Sequence, residues 1–200
     1  GLIMSASTQK LSLRRRIAGQ GALLLSGSLA AQLLGLARNA LLAYGLSKGH
    51  FGTAAAILIA LQLIESMMEL PIERFIVQAD DGADARVIAN GHSLILLRGF
   101  VAGILLYLAS GWIAAFFAIA EQGHVFAAMA IVPVIKGLQN LDQRRQQRKL
   151  DNRASLAVEL VPQLVALFLT WPLLRTVGDY TAVVWLSIAQ ALTLVAVSHI

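Results

Sequence analysis

Cysteine is missing from all 200 residues, which excludes disulfides, thiolate nucleophiles and cysteine-ligated zinc. Charge is scarce as well. Asp, Glu, Lys and Arg make up 14% of the chain, where an ordinary soluble domain carries about a quarter. The histidines His50, His92, His124 and His199 lie apart at the ends of apolar runs, without paired ligand spacing, so no metal site is expected. There is no glycine-rich phosphate loop and no nucleophile elbow, and no cofactor is implied. Strand signals are lacking too, because the apolar runs are long, rich in Leu and Ala, and free of period-two alternation.

What the chain does have is apolar length. It is 58% hydrophobic with a mean hydropathy of +0.71. A chain of this size cannot hide so much apolar surface in one core, which makes lipid the expected solvent. Crossing a bilayer takes about 20 apolar residues. Six runs meet that need, at roughly 17–46, 52–78, 88–119, 124–142, 154–176 and 180–200. The expected fold class is all-α: a polytopic bundle of six transmembrane helices behind a basic segment, 1–16. Met4 reads as the native initiator. The run from Ile17 to Leu46 far exceeds the core of a signal peptide and reads as a first membrane helix.

Sixteen Lys and Arg stand against eleven Asp and Glu, giving +5 and a pI near 10.1. The basic residues crowd alternate gaps. Lys10 and Arg14 to Arg16 precede the first run, Arg74 and Arg86 flank the second gap, and Arg144, Arg145, Arg148, Lys149 and Arg153 fill the fourth. The remaining gaps hold only Lys48 and Arg175. Short loops rich in Lys and Arg stay cytoplasmic, so both ends are expected inside. Basic clusters beside apolar helices suit topology and anionic lipid headgroups, and nucleic acid is not an expected partner.

Polar residues recur along single helix faces. Gln62, Glu65, Glu69 and Glu73 step by three and four, which puts them on one side of the second helix. A carboxylate at the centre of a membrane helix costs roughly 2.5–3.5 kcal/mol, so this stripe must turn inward. It then forms either a buried ion pair, with Arg38 or Arg98, or the wall of a solvated pathway or proton-titrating site. Gly21, Ser28, Gln32, Gly35 and Asn39 line one face of the first helix, where Gly27, Ala31 and Gly35 also give small-xxx-small spacing. Ser155, Glu159, Gln163, Ala166 and Thr170 share a face of the fifth, and Lys136, Gln139, Asn140 and Gln143 mark the fourth. Pro71, Pro133, Pro162 and Pro172 add sites where a helix can bend. Four striped helices suggest a hydrated central cleft.

Asp81-Gly82-Ala83-Asp84-Ala85-Arg86 resembles the opening of the CDP-alcohol phosphatidyltransferase signature, from a family that also has six membrane helices. That chemistry needs further carboxylates converging on metal ions. The positions where they should follow hold Arg98 and Ala102, or Gly99 and Gly103. The enzyme reading is a minor alternative, and a non-enzymatic function is expected.

A second resemblance covers about residues 12–200. The basic Arg14-Arg15-Arg16, the Gly/Ser/Gln-rich first helix, the run Leu36-Ala37-Arg38-Asn39-Ala40-Leu41-Leu42-Ala43-Tyr44-Gly45-Leu46 and then His50-Phe51-Gly52 resemble the opening of the oligosaccharide (O-antigen and exopolysaccharide) flippases, within the multidrug/oligosaccharidyl-lipid/polysaccharide exporter superfamily. The stretch up to Gln78 and the basic loop followed by Glu159 fit the same pattern. The resemblance implies a transporter of undecaprenyl-diphosphate-linked oligosaccharide in the bacterial inner membrane, working by alternating access for surface polysaccharide biosynthesis. It implies two six-helix lobes, so a second lobe, as a further half or another copy, is the expected partner, with lipid-linked oligosaccharide as cargo and membrane lipids around. A drug or small-solute exporter of the same superfamily is the alternative. Arg38 and Arg98 are the candidates for lining or organising a cavity, with Gln32 and Asn39, while Arg74 and Lys136 would stand at its cytoplasmic mouth. Glu65, Glu69 and Glu159 would balance charge or couple an ion.

Overall fold

The structure is a computed structural model that describes residues 2–67, 85–140 and 153–200. Helix α1 spans Leu2–Gly45, α2 Lys48–Met67 and α3 Ala85–Phe116. A single 3₁₀ turn, Ala120–Gln122, leads into α4, Gly123–Met129, and α5, Ile131–Lys136. Helices α6, Arg153–Thr176, and α7, Ala182–Ser198, complete the described chain. The fold is all-α, with no strand among the described residues.

Four helical segments are long and apolar enough to cross a membrane: Gly21–Gly45, Lys48–Met67, Gly91–Phe116 and Ala154–Thr176. Helix α7 is apolar but one turn shorter, and the span expected at 124–142 is broken into α4 and α5. The break follows from Pro133, which has no N–H to give the carbonyl one turn back and so cannot sustain the regular ladder there. Helix α1 also begins earlier than residue 17, because no Gly or Pro interrupts 2–16 to stop it. The second gap, with Glu69, Pro71, Glu73, Arg74, Gln78 and Asp81, lies outside the described residues, as do Gln143 to Lys149 of the fourth.

The helices alternate in direction. Gly27 and Gly45 of α1 meet Leu156 and Leu174 of α6, so these two run parallel. Gly99 and Gly103 of α3 meet Pro133 and Ala130, so α3 and the α4–α5 pair run antiparallel. Helix α6 packs mainly on α7 and α1. The core gathers Leu42, Ile57, Leu106, Phe126, Met129, Val132, Val183 and Leu186, contributed by six of the seven helices.

The closest approach is between α3 and α5. A Cβ at Gly99 would stand 2.5 Å from the Pro133 carbonyl oxygen, and one at Gly103 would stand 2.7 Å from that of Ala130. Only glycine lets these backbones touch. At the far end of α3 the chain reverses through Ala118, at φ 58, with Ile119 N–H donating to the Ala114 carbonyl and Ala118 N–H to that of Ala115. This is a Schellman cap with alanine where glycine is usual. Tyr44, Trp112, Phe116, Trp171 and Trp185 are all exposed and cluster toward this same end. Aromatic side chains favour the membrane–water boundary, where an apolar ring meets a wet edge.

Candidate functional site

A cavity of about 380 Å³ opens between α1, α2, α5 and α7. Along α2 its lining runs from Phe51 to Glu65, about 21 Å of helix at 1.5 Å per residue. Leu42, Phe51, Leu58, Ile59, Leu61 and Val132 make most of the wall apolar. The polar groups are Arg38, Asn39, Gln62, Glu65, Lys136, Ser187 and Gln190.

Each group reaches the cavity because its helix periodicity puts it there. Gln62 and Glu65, three apart on α2, share the face that also carries Leu58 and Leu61. Lys136 closes the last turn of α5 and projects toward α2 because Gly99 and Gly103 draw α5 close to α3. Its Nζ donates to Glu65 Oε2 at 2.8 Å, with the two side chains 31% and 27% exposed. Glu65 therefore pairs with Lys136, and the expected pairing with Arg38 or Arg98 is corrected. Lys136 reaches Glu65 across the α2–α5 gap, whereas Arg38 is engaged elsewhere. Its Nη1 donates to Gln190 Oε1 at 2.9 Å and its Nη2 to Asn39 Oδ1 at 3.4 Å.

Two cations against one carboxylate leave the cavity with one positive charge in excess. Two of its polar atoms have no partner: Arg38 Nε and Glu65 Oε1 are buried and make no hydrogen bond. Buried polar atoms normally find partners, because leaving one unmade costs about 1–3 kcal/mol.

The structure thus brings Arg38, Asn39, Glu65 and Lys136 together. Arg98 is half-buried on α3 and outside the cavity lining. Gln32 is exposed one to two turns before Arg38, also outside the lining. Glu159 stands in another place: a Cβ on Gly27 would come 3.9 Å from its Oε2, so it lies at the α1–α6 contact. The rest of its stripe shares that setting. Ala166 and Thr170 are fully buried, Thr170 Oγ1 donates to the Ala166 carbonyl at 2.7 Å, and Ser155 Oγ and Gln163 Oε1 are buried without partners. This face is a polar seam between helices, not a cavity wall. Arg74 and Glu69 lie outside the described residues.

Sequence periodicity missed Ser187 and Gln190 on α7. They sit three apart in an otherwise apolar 17-residue helix, a pair that the search for charged stripes passed over.

A smaller pocket of about 320 Å³ lies at the other end of α3, lined by His92, Leu96, Gln139, Asn140 and His199 among others. His92 Nε2 lies 3.2 Å from Asn140 Oδ1, and the Asn140 N–H donates to Ser198 Oγ at 2.9 Å. This ties the ends of α3, α5 and α7 together. No group of three or more His, Asp or Glu side chains among the described residues could hold a metal ion.

A family model described as "Polysaccharide biosynthesis protein" matches residues 41–200, from the last turn of α1 through the end of α7. No curated protein and no solved structure matches the chain.

Proposed function

This chain belongs to the polysaccharide biosynthesis protein family, of the flippase type, and from that premise we propose that it moves a lipid-linked oligosaccharide across a membrane. The cargo is an undecaprenyl-diphosphate-linked glycan, the membrane is the bacterial inner membrane with both ends of the chain in the cytoplasm, and the function is transport rather than catalysis. The observation that carries this reading is the cavity at membrane depth, where Arg38, Glu65 and Lys136 from three helices face one space. Ionisable groups inside a membrane mark a pathway for polar cargo, because hydrocarbon would otherwise exclude them.

The described helices form one lobe. The exposed face of α1, with Gln32 and Asn39, turns toward a second lobe of like construction, and the two rock about the cargo to open alternately on each side. Asn39 and Lys136 present donors to the polar head of the cargo, Arg38 holds the outer half of the cavity, and Glu65 balances their charge. Arg98, Arg74, Glu69 and Glu159 serve outside this cavity, at the lobe surface, the cytoplasmic mouth and the α1–α6 seam.

Deletion of the gene tests the proposal. Loss of surface polysaccharide, restored by the wild-type chain and not by Arg38→Gln, is the expected result. Intact polysaccharide together with new sensitivity to amphipathic drugs would assign the chain to drug export instead.

A further inference from the structure

The unpartnered atoms of the cavity specify more than charge. Arg38 has spent both terminal nitrogens on neutral amides, Gln190 and Asn39, so the two-pronged grip that favours phosphate is already occupied. Lys136 is neutralised by Glu65 at 2.8 Å. What remains unused is one donor, Arg38 Nε, and one acceptor, Glu65 Oε1.

We propose that this cavity receives the sugar portion of the cargo, with a saccharide hydroxyl accepting from Arg38 Nε and donating to Glu65 Oε1, and not its diphosphate. The inference rests on the flippase reading and names which part of the cargo this site takes.

A hydroxyl is the simplest group that both donates and accepts. An ionised phosphate only accepts. It would satisfy Arg38 Nε while setting its own negative charge beside Glu65 Oε1, which has nothing to give it. The lining agrees with a sugar. Phe51 offers an aromatic ring, the surrounding Leu42, Leu58 and Val132 suit the apolar face of a pyranose, and Gln62 and Ser187 offer further neutral polar contacts. The space suits it as well: about 380 Å³ corresponds to roughly a dozen waters at ~30 Å³ each, enough for a hydrated ring. Both unused atoms are buried in this conformation, so the sugar is admitted by rotation of the partly exposed Glu65 side chain about its own stem. A group that reaches both atoms relieves two buried deficits at once.

The experiment measures saturation transfer from the full chain in lipid nanodiscs to three probes: methyl glycosides, inorganic pyrophosphate and glycerol. Wild-type protein is expected to saturate a methyl glycoside, and pyrophosphate at equal concentration is expected not to displace it. Arg38→Lys keeps the charge but removes the Nε donor, and is expected to weaken glycoside binding about tenfold, the size of one hydrogen bond to a charged group. Glu65→Gln turns its amide oxygen to Lys136 and its NH₂ to the place of Oε1, so two donors then face the hydroxyl. That variant is expected to lose glycoside affinity and gain pyrophosphate affinity, an opposite sign that a folding defect cannot produce.

Pyrophosphate displacing the glycoside from wild-type protein, or glycoside binding unchanged in both variants, would overturn the proposal. Glycerol, the hydroxyl-bearing end of a membrane lipid, saturating as strongly as the glycoside would assign the site to lipid headgroups and also overturn it. The flippase reading is separable, since it falls only if gene deletion leaves surface polysaccharide intact.

Discussion

Gly99→Ala is the perturbation that the packing resolves most sharply. The added methyl would lie 2.5 Å from the Pro133 carbonyl oxygen, 3.0 Å from Gly137 Cα and 3.3 Å from Gly137 N. All three are backbone atoms and none can swing aside, so α3 and α5 must move apart. Overpacking of this kind costs about 1–3 kcal/mol, offset by up to about 1 kcal/mol of better helix propensity. The net loss is on the order of 1–2 kcal/mol. Gly111→Ala, on the same helix, is the control: its Cβ meets nothing within 4 Å, so the propensity gain stands alone and the variant is neutral or slightly more stable. The difference between the two, about 2 kcal/mol, is read from reversible unfolding in mixed micelles as the denaturing detergent fraction rises. Transport should fall with Gly99→Ala as well, because the displaced backbone carries Lys136 away from Glu65. Equal unfolding midpoints for the two variants would refute the claim that glycine at position 99 holds α5 in place.

Other outcomes follow from single contacts. Ala118→Gly relieves the left-handed strain at φ 58 and is expected to stabilise the protein by about 1 kcal/mol, seen as a higher unfolding midpoint. Replacing either Glu65 or Lys136 by Leu leaves a lone charge on a partly sheltered site, and a double-mutant cycle should give a coupling of about 1–2 kcal/mol, between the values for open and sealed pairs; zero coupling would show that the contact is incidental. Ser198→Ala removes the hydroxyl that accepts from the Asn140 N–H and should cost about 1 kcal/mol and speed amide exchange at Asn140. Arg98→Gln is expected to restore surface polysaccharide in a deletion strain where Arg38→Gln does not, because only Arg38 lines the cavity.

The helices were legible because a membrane span is mainly a matter of apolar length, and the runs ending near 45, 116 and 176 fall where the structure ends α1, α3 and α6. The run at 124–142 was read as one helix although Pro133 was noted, since a proline marks where a helix can break and not whether it does. The stripe of Gln62 and Glu65 led to the cavity wall, while the equally regular Ser155–Glu159–Gln163 stripe led to a seam against Gly27. Periodicity tells which face avoids lipid. It carries no information on what that face meets, and for the same reason Lys136 as the partner of Glu65 emerges only when α2 and α5 are placed side by side. Ser187 and Gln190 are uncharged, and two polar residues leave too faint a pattern to stand out in an apolar helix.

Water access at residues 38, 65 and 136 tests the central claim directly, and the absence of native cysteine makes it clean. Single cysteines at Asn39, Glu65 and Lys136, and at the lipid-facing control Leu108 and the sealed control Ile57, are exposed in intact cells to a charged, membrane-impermeant thiol reagent and, in inverted vesicles, to the same reagent from the other side. The cavity reading expects modification at 39, 65 and 136 from at least one side, slowed by bound cargo, and none at 57 or 108. Cavity positions as unreactive as Ile57 from both sides would mean these charges are sealed in a dry bundle, and would contradict a transport pathway through this lobe.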